Sequence, residues 1–253
     1  MSGRLRIVGL GPGPEKWLTP EAADALAQAQ DVLGYATYLA RVPIREDQTR
    51  HASDNREEIS RARRALELAA EGRDVALVSG GDPGVFAMAA AVFEAMEDGP
   101  AAWRALDIAV LPGVTAMLAA AARVGAPLGA DFCAINLSDN LKPWSLVEKR
   151  LALAVEAGFV VALYNPASKA RPTQIHDAFA LLRRLLPAST PIVLARAVGR
   201  PDERIAIETL DETDPALVDM QTMLIVGTPA TRLVKRADGT NWVYSPRRAG
   251  VPA

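Results

Sequence analysis

Short apolar runs alternate with longer amphipathic stretches along most of the chain. RLRIVGL (4–10), DVLGY (31–35), DVALVS (74–79) and DIAVL (107–111) read as strands. DVALVS is almost continuously apolar, the pattern of a parallel strand buried on both faces. Thr19-Pro20-Glu21 reads as a helix start, with Thr19 as N-cap, proline at the first helical position and an acid in the first turn. SDNREEISRARRALELAAEG (53–72) predicts a helix that opens on Ser or Asp and ends at Gly72. Another helix is predicted over 85–97, and an Ala-rich one from near Thr115. GAPLGAD (125–131) is the best linker candidate, which gives an N-terminal domain over 1–126 and a C-terminal domain over 127–253. Beyond it, FCAINL, FVVALYN, PIVLARA, RIAIETL and TMLIVG read as strands, and 145–158 and 173–187 as helices. SPRRAGVPA reads as a frayed tail. The alternation predicts an α/β protein, with a largely parallel sheet in the first half and a mixed one in the second.

Composition narrows the function. Half of the 253 residues are hydrophobic, enough for a substantial core, and the formal net charge is -2 with signs interspersed. That balance argues against a nucleic-acid partner, which needs cations to neutralise phosphates. One cysteine, Cys133, rules out an intrachain disulfide and reads as a small buried hydrophobe. Two histidines, His51 in an expected loop and His176 on an expected helix, make a His-based metal site a poor reading, so no metal is expected. The N-terminus runs straight into a strand, without a signal peptide, and no apolar run reaches the roughly 18 residues needed to span a membrane. The expectation is a soluble cytoplasmic protein.

In open α/β sheets, ligands collect outside the carboxyl ends of the strands, so the loops there carry the candidate chemistry. GLGPGP (9–14) has the spacing G-x-G-x-G, followed by no immediate helix, and is not a dinucleotide loop. A P-loop is absent as well. GGDPG (80–84) can turn tightly and let a ligand approach its backbone; Asp82 either receives a ligand's hydroxyl or ammonium groups or makes a local Asx-turn or helix cap. PGVTA (112–116) offers Thr115 as a helix cap, YNP (164–166) a strand-end turn, and ARAVGRPDE (195–203) a charged hairpin. Together these small, polar-rimmed loops fit one site for a neutral or weakly charged cofactor with adenosine-like groups. They specify no reaction.

VGLGPGP, SGGDPGVFAMA, LPGVTA, ALYNP and ARAVGRPDE…LIVG, in this order over about residues 4–235, resemble the tetrapyrrole methylase superfamily. INLSDNLKPW (135–144), YNPASKARP (164–172), ARAVGRPDERI (195–205) and HASDNREE (51–58) resemble its branch that methylates C-17 of precorrin-3B in cobalamin biosynthesis. The resemblance implies two α/β domains with the active site in the cleft between them, and a homodimer. It implies S-adenosyl-L-methionine as methyl donor, S-adenosyl-L-homocysteine as its product, and ring contraction of precorrin-3B to precorrin-4. Carried over position by position, it assigns Pro12, Gly80, Gly81, Asp82, Thr115, Ala116, Asn165 and Ala197 to the cofactor, with Val85 and Phe86 as apolar contacts; Asp82 could face the macrocycle instead. Lys142, Lys169, Arg171 and Arg200 are its candidates for the substrate's carboxylates.

The sequence departs from that pattern at one position. Where the family reads Gly-His-Asp-Phe, this chain has Gly129-Ala130-Asp131-Phe132. A histidine there is the natural candidate for the base or hydrogen-bonding partner in contraction, since its unperturbed pKa lies near neutrality. Ala130 is either a substitution introduced to trap a complex or a divergence that moves the role to another residue. Asp131, Ser138 and Asp139 are the catalytic candidates that remain nearby. Competing readings are a methylase for another precorrin carbon, a tetrapyrrole carrier without turnover and, more distantly, a nucleic-acid methylase.

Overall fold

Along RLRIVG, Leu5 and Ile7 enter one apolar cluster and Val8 another, so side chains two apart share a face and both faces are covered. This is β1 (Arg4–Gly9) of the computed structural model, which describes residues 3–54, 57–168 and 170–248. The chain divides into two compact units, one ending at Thr115 and one beginning at Ala116.

The first unit contains β1, α1 (Pro20–Gln28), β2 (Asp31–Tyr35), α2 (Ala36–Leu39), β3 (Thr49–Ser53), α3 (Glu58–Ala70), β4 (Asp74–Ser79), α4 (Met88–Glu97) and β5 (Asp107–Leu111). Its strands lie in the order β3-β2-β4-β1-β5, and every pairing is parallel. Leu66 of α3 and Val92 of α4 join Leu5, Ile7, Leu33 and Leu77 in one core. Leu26 of α1 and Leu39 of α2 join Val8, Val32 and Val78 in another. Thr19 caps α1 as its sequence predicts: Oγ1 accepts from Ala22 N–H at 3.2 Å. Parallel strands send their C-terminal loops off one edge, and the order β4-β1-β5 sets three candidate loops side by side there.

The second unit contains α5 (Ala116–Val124), β6 (Gly125–Ala126), β7 (Phe132–Asn136), α6 (Trp144–Glu156), β8 (Val160–Tyr164), α7 (Gln174–Leu185), β9 (Pro191–Arg196), β10 (Arg204–Thr209), β11 (Thr222–Val226), β12 (Arg232–Lys235) and β13 (Asn241–Tyr244). Its main sheet, β10-β9-β11-β8-β7, is mixed: β7 and β8 are parallel and the other pairs antiparallel. Leu151, Leu163, Phe179, Ile192 and Leu224 are central to its core. A second small sheet has the order β12-β13-β6.

Several boundaries differ from the sequence reading. The segment 53–72 is not all helix: β3 ends at Ser53 and α3 begins at Glu58. β3 is an edge strand with a polar sequence, so no apolar run announces it, and it places His51 in a strand rather than a loop. α4 starts at Met88 rather than 85, because Phe86 takes a left-handed conformation with φ 52°. The two compact units divide before α5; the boundary suggested by the sequence is 126/127. Part of that linker, Gly125–Ala126, is a strand paired with β13. The tail is not frayed from its start: Ser245 is buried, and its Oγ lies 2.9 Å from Thr231 Oγ1. Cys133 is half-buried at the core margin, where burial pushes its thiol up.

Candidate functional site

In the first unit, the loops after β1, β4 and β5 pack backbone against backbone. Gly11 N–H donates to Gly81 O at 3.1 Å and Gly81 N–H to Gly11 O at 3.0 Å. A Cβ on Gly113 would lie 2.3 Å from Gly81 O, and one on Gly9 2.6 Å from Gly113 N. Only glycine permits this approach. A Cβ on Gly80 would meet the Tyr38 ring at 2.6 Å. Asp82 makes the Asx-turn that the sequence offered as its plainer reading: Oδ1 accepts from Gly84 N–H at 2.8 Å, and Oδ2 accepts from Gly113 N–H at 3.1 Å. Its carboxylate thus links the β4 loop to the β5 loop.

Arg41, which follows α2, was missed by the sequence reading. Its Nη2 donates to the carbonyls of Leu10, Gly11 and Gly13 at 3.0, 2.9 and 2.9 Å, gathering the Gly/Pro loop around one guanidinium. No local pattern marks it, since α2 is a single turn far from that loop in sequence.

Of the other predicted positions in this unit, Pro12 and Thr115 are buried, Val85 is half-buried and Phe86 is exposed.

In the second unit, the loops after β7 and β8 are tied together. Asn136 Oδ1 accepts from Ser138 N–H at 2.9 Å and from Asn165 Nδ2 at 3.1 Å. Arg171 is buried and its Nη1 donates to Leu137 O and Asn165 O at 3.3 and 3.2 Å. Its Nε lies 3.9 Å from Asp139 Oδ1, while Asp139 Oδ2 accepts from Gln174 Nε2 at 3.0 Å. The sequence offered Arg171 as a substrate contact; the structure has it buried, with its guanidinium on the carbonyls of Leu137 and Asn165. Asn136 was quoted within a family-like run but not singled out as a site residue.

Lys142 Nζ donates to Ser138 O at 2.9 Å. Burial, and next the neighbouring Arg150, push the Lys142 ammonium below its ordinary value. Tyr164 OH accepts from Met117 N–H at 3.2 Å, close to the start of α5 and to Ala116. Ala197 is buried in the turn between β9 and β10, its N–H donating to Gln221 O at 3.0 Å; Arg200 lies half-buried in the same turn. Ala130 is half-buried and Asp131 exposed. The structure does not gather the three catalytic candidates by any hydrogen bond: Asp131 O accepts from Val160 N–H at 3.0 Å, apart from the contacts of Ser138 and Asp139. Lys169 lies outside the described residues.

Among the described residues other than glycine, Phe86, Asn165 and Ala197 have positive φ, at 52°, 50° and 50°. All three lie in loops that follow strands, Phe86 after β4, Asn165 after β8 and Ala197 after β9. Strain of this kind costs of order 1–3 kcal/mol and persists where the surroundings hold it in place. Among the described residues no helix is long and apolar enough to cross a membrane, and no cluster of His, Cys, Asp and Glu is placed to hold a metal ion.

A family model described as Tetrapyrrole (Corrin/Porphyrin) Methylases matches residues 4–214. A Sinorhizobium sp protein named precorrin-3B C(17)-methyltransferase is 60% identical over 247 residues, covering 98% of this chain and 97% of its own. A Salmonella typhimurium protein named probable cobalt-factor III C(17)-methyltransferase is 41% identical over 230 residues, covering 90% and 93%. The crystal structure of the methyltransferase CobJ is similar with a TM-score of 0.92 and 51% identity, covering 97% of this chain and all of that one.

Proposed function

We propose that this chain, which belongs to the tetrapyrrole (corrin/porphyrin) methylase family, methylates C-17 of precorrin-3B and contracts its ring to precorrin-4 in cobalamin biosynthesis. The observation that carries the methylation is the 60% identity, over 98% of the chain, to a protein named precorrin-3B C(17)-methyltransferase. Bound S-adenosyl-L-methionine would supply an electrophilic methyl group. Pro12, Gly80, Gly81, Asp82, Val85, Phe86 and Thr115 are assigned to it from the first unit, and Ala116, Asn165 and Ala197 from the second. The fit rests on the glycine-lined strand ends, which bring the loops after β1, β4 and β5 together, and on the left-handed Phe86, Asn165 and Ala197.

The chain's own part in methyl transfer would be orientation, for which Arg41 and Asp82 brace loops of the first unit and Arg171 loops of the second. Lys142, Lys169 and Arg200 are assigned to substrate carboxylates. We further assign the chain to the cytoplasm as a homodimer.

Contraction needs a proton removed from a ring hydroxyl, and Ala130 cannot remove it. Position 130 is therefore where this chain's turnover is limited. Single-turnover reactions with precorrin-3B and S-adenosyl-L-methionine, read by visible spectra and mass spectrometry, test this. Ala130→His is expected to form precorrin-4 on the order of a hundred-fold faster. Equal rates would remove position 130 from the chemistry and return Asp131, Ser138 and Asp139 to consideration. A second reading, action on a cobalt-containing substrate, is favoured by the Salmonella relative's name. Parallel reactions with cobalt-factor III decide between them.

A further inference from the structure

Asn165 directly follows β8 in a conformation that residues other than glycine rarely adopt, and two side chains grip it, one from the end of β7 and one from further along its own loop. Its carbonyl accepts from Arg171 Nη1 at 3.2 Å, and its side-chain amide donates to Asn136 Oδ1 at 3.1 Å. The same two residues also fasten the loop after β7: Arg171 Nη1 donates to Leu137 O at 3.3 Å and Asn136 Oδ1 accepts from Ser138 N–H at 2.9 Å. Leu137 N–H closes the set by donating to Tyr164 O at 2.9 Å.

The base of the Arg171 loop is itself fixed. Arg171 N–H donates to Ser168 O at 2.9 Å and Ser168 N–H to Arg171 O at 3.3 Å. Releasing a charged donor buried among carbonyls, with Asp139 Oδ1 3.9 Å from its Nε, is costly, because its present acceptors would lose their partner and the charge would stay buried. The guanidinium therefore stays on its acceptors rather than reaching for a substrate carboxylate.

We propose that Arg171 and Asn136 are positioning residues that hold Asn165 in its left-handed conformation and thereby set the affinity of the loop after β8 for the adenosyl cofactor. The inference rests on the assignment of Asn165 to the cofactor. A device that works by paying for strained backbone has a distinctive property. Where the backbone has no strain, the device becomes unnecessary. Glycine adopts positive φ about as readily as negative, so Asn165→Gly should largely free the loop from its dependence on both residues.

The test is a double-mutant comparison by calorimetric titration with S-adenosyl-L-homocysteine. In the Asn165 background, Arg171→Gln and Asn136→Ala should each weaken binding roughly ten-fold. In the Asn165→Gly background, each should weaken it by less than about three-fold. The same variants should raise the KM for S-adenosyl-L-methionine more than they lower kcat.

A ten-fold loss that persists in the glycine background would overturn the proposal. So would unchanged cofactor affinity with a raised KM for precorrin-3B, which would return Arg171 to the substrate. Should Arg171→Gln not fold, as judged by its circular dichroism and melting curve, Arg171→Lys, which keeps the charge but not the guanidinium's paired donors, carries the same comparison, since glycine at 165 retains the carbonyl that Arg171 meets but not the amide that Asn136 meets. Failure of the unsubstituted protein to bind S-adenosyl-L-homocysteine would instead remove the cofactor assignment, and this inference with it.

Discussion

At Gly113 a side chain has nowhere to go. Its Cβ would stand 2.3 Å from Gly81 O and 2.9 Å from the Gly9 backbone, and none of these atoms belongs to a side chain that could swing away. Gly113→Ala is therefore expected to destabilise the first unit by about 1–3 kcal/mol, the usual cost of overpacking. It should also weaken S-adenosyl-L-homocysteine binding, since the loops it separates are the ones assigned to the cofactor. Urea unfolding and calorimetry check the two effects; wild-type values for both would mean that the close approach of the three loops is not required. PGVTA was legible in the sequence as a loop, but the reason for its glycine was not. That reason is a contact between residues about thirty and a hundred positions apart. Arg41 escaped for the same cause, because its partners are backbone carbonyls of another loop, and Asn136 because its distant partner is the side-chain amide of Asn165; neither leaves a trace in local spacing.

Elements carry two further consequences. α2 supports the loop after β1 through Arg41, whose Nη2 meets three carbonyls within 3.0 Å. Arg41→Met should raise the KM for S-adenosyl-L-methionine by about ten-fold with little change in kcat, as loss of charge-assisted hydrogen bonds from a binding loop predicts. A fall in kcat alone would instead place Arg41 in the chemistry.

β2 and β3 meet at a buried carboxylate. Asp31 lies 2.7 Å from His51 Nε2 and also pairs with Arg73. Burial opposes its ionisation, but hydrogen bonds from Arg73 and then His51 outweigh it and hold the carboxyl below its ordinary value. A depressed acid stabilises the fold above its unfolded pKa of about 3.9 and loses that contribution as pH falls through the lower folded value. Asp31→Asn should therefore cost about 1–3 kcal/mol at pH 7, with the gap to wild type narrowing below about pH 4. Urea unfolding across that range measures it, and a gap independent of pH would contradict the ion-pair account. The sequence placed DVLGY correctly because it is apolar, and overlooked β3 because an edge strand spelled TRHAS has no apolar side to display. The β12–β13 hairpin was also overlooked, although Asp238-Gly239 supplied a turn signal, with Gly239 at φ 85°.

Across the whole molecule, the alternation of strand and helix was enough to foresee a parallel first sheet and a mixed second one. It could not give the strand order, and the order β4-β1-β5 is what turns three separate glycine-rich loops into neighbours. The reaction was never legible in periodicity or composition; it came from loops in a family-like order, and the family membership from the match over residues 4–214.

The account stands or falls on where a methyl group goes. Precorrin-3B incubated with this protein and S-adenosyl-L-methionine labelled in its methyl carbon, with the product resolved by NMR and mass spectrometry, answers that directly. The account predicts label at C-17 and one S-adenosyl-L-homocysteine released for each tetrapyrrole methylated. Label at another ring carbon, or bound pigment with no S-adenosyl-L-homocysteine released by either this protein or Ala130→His, would contradict it.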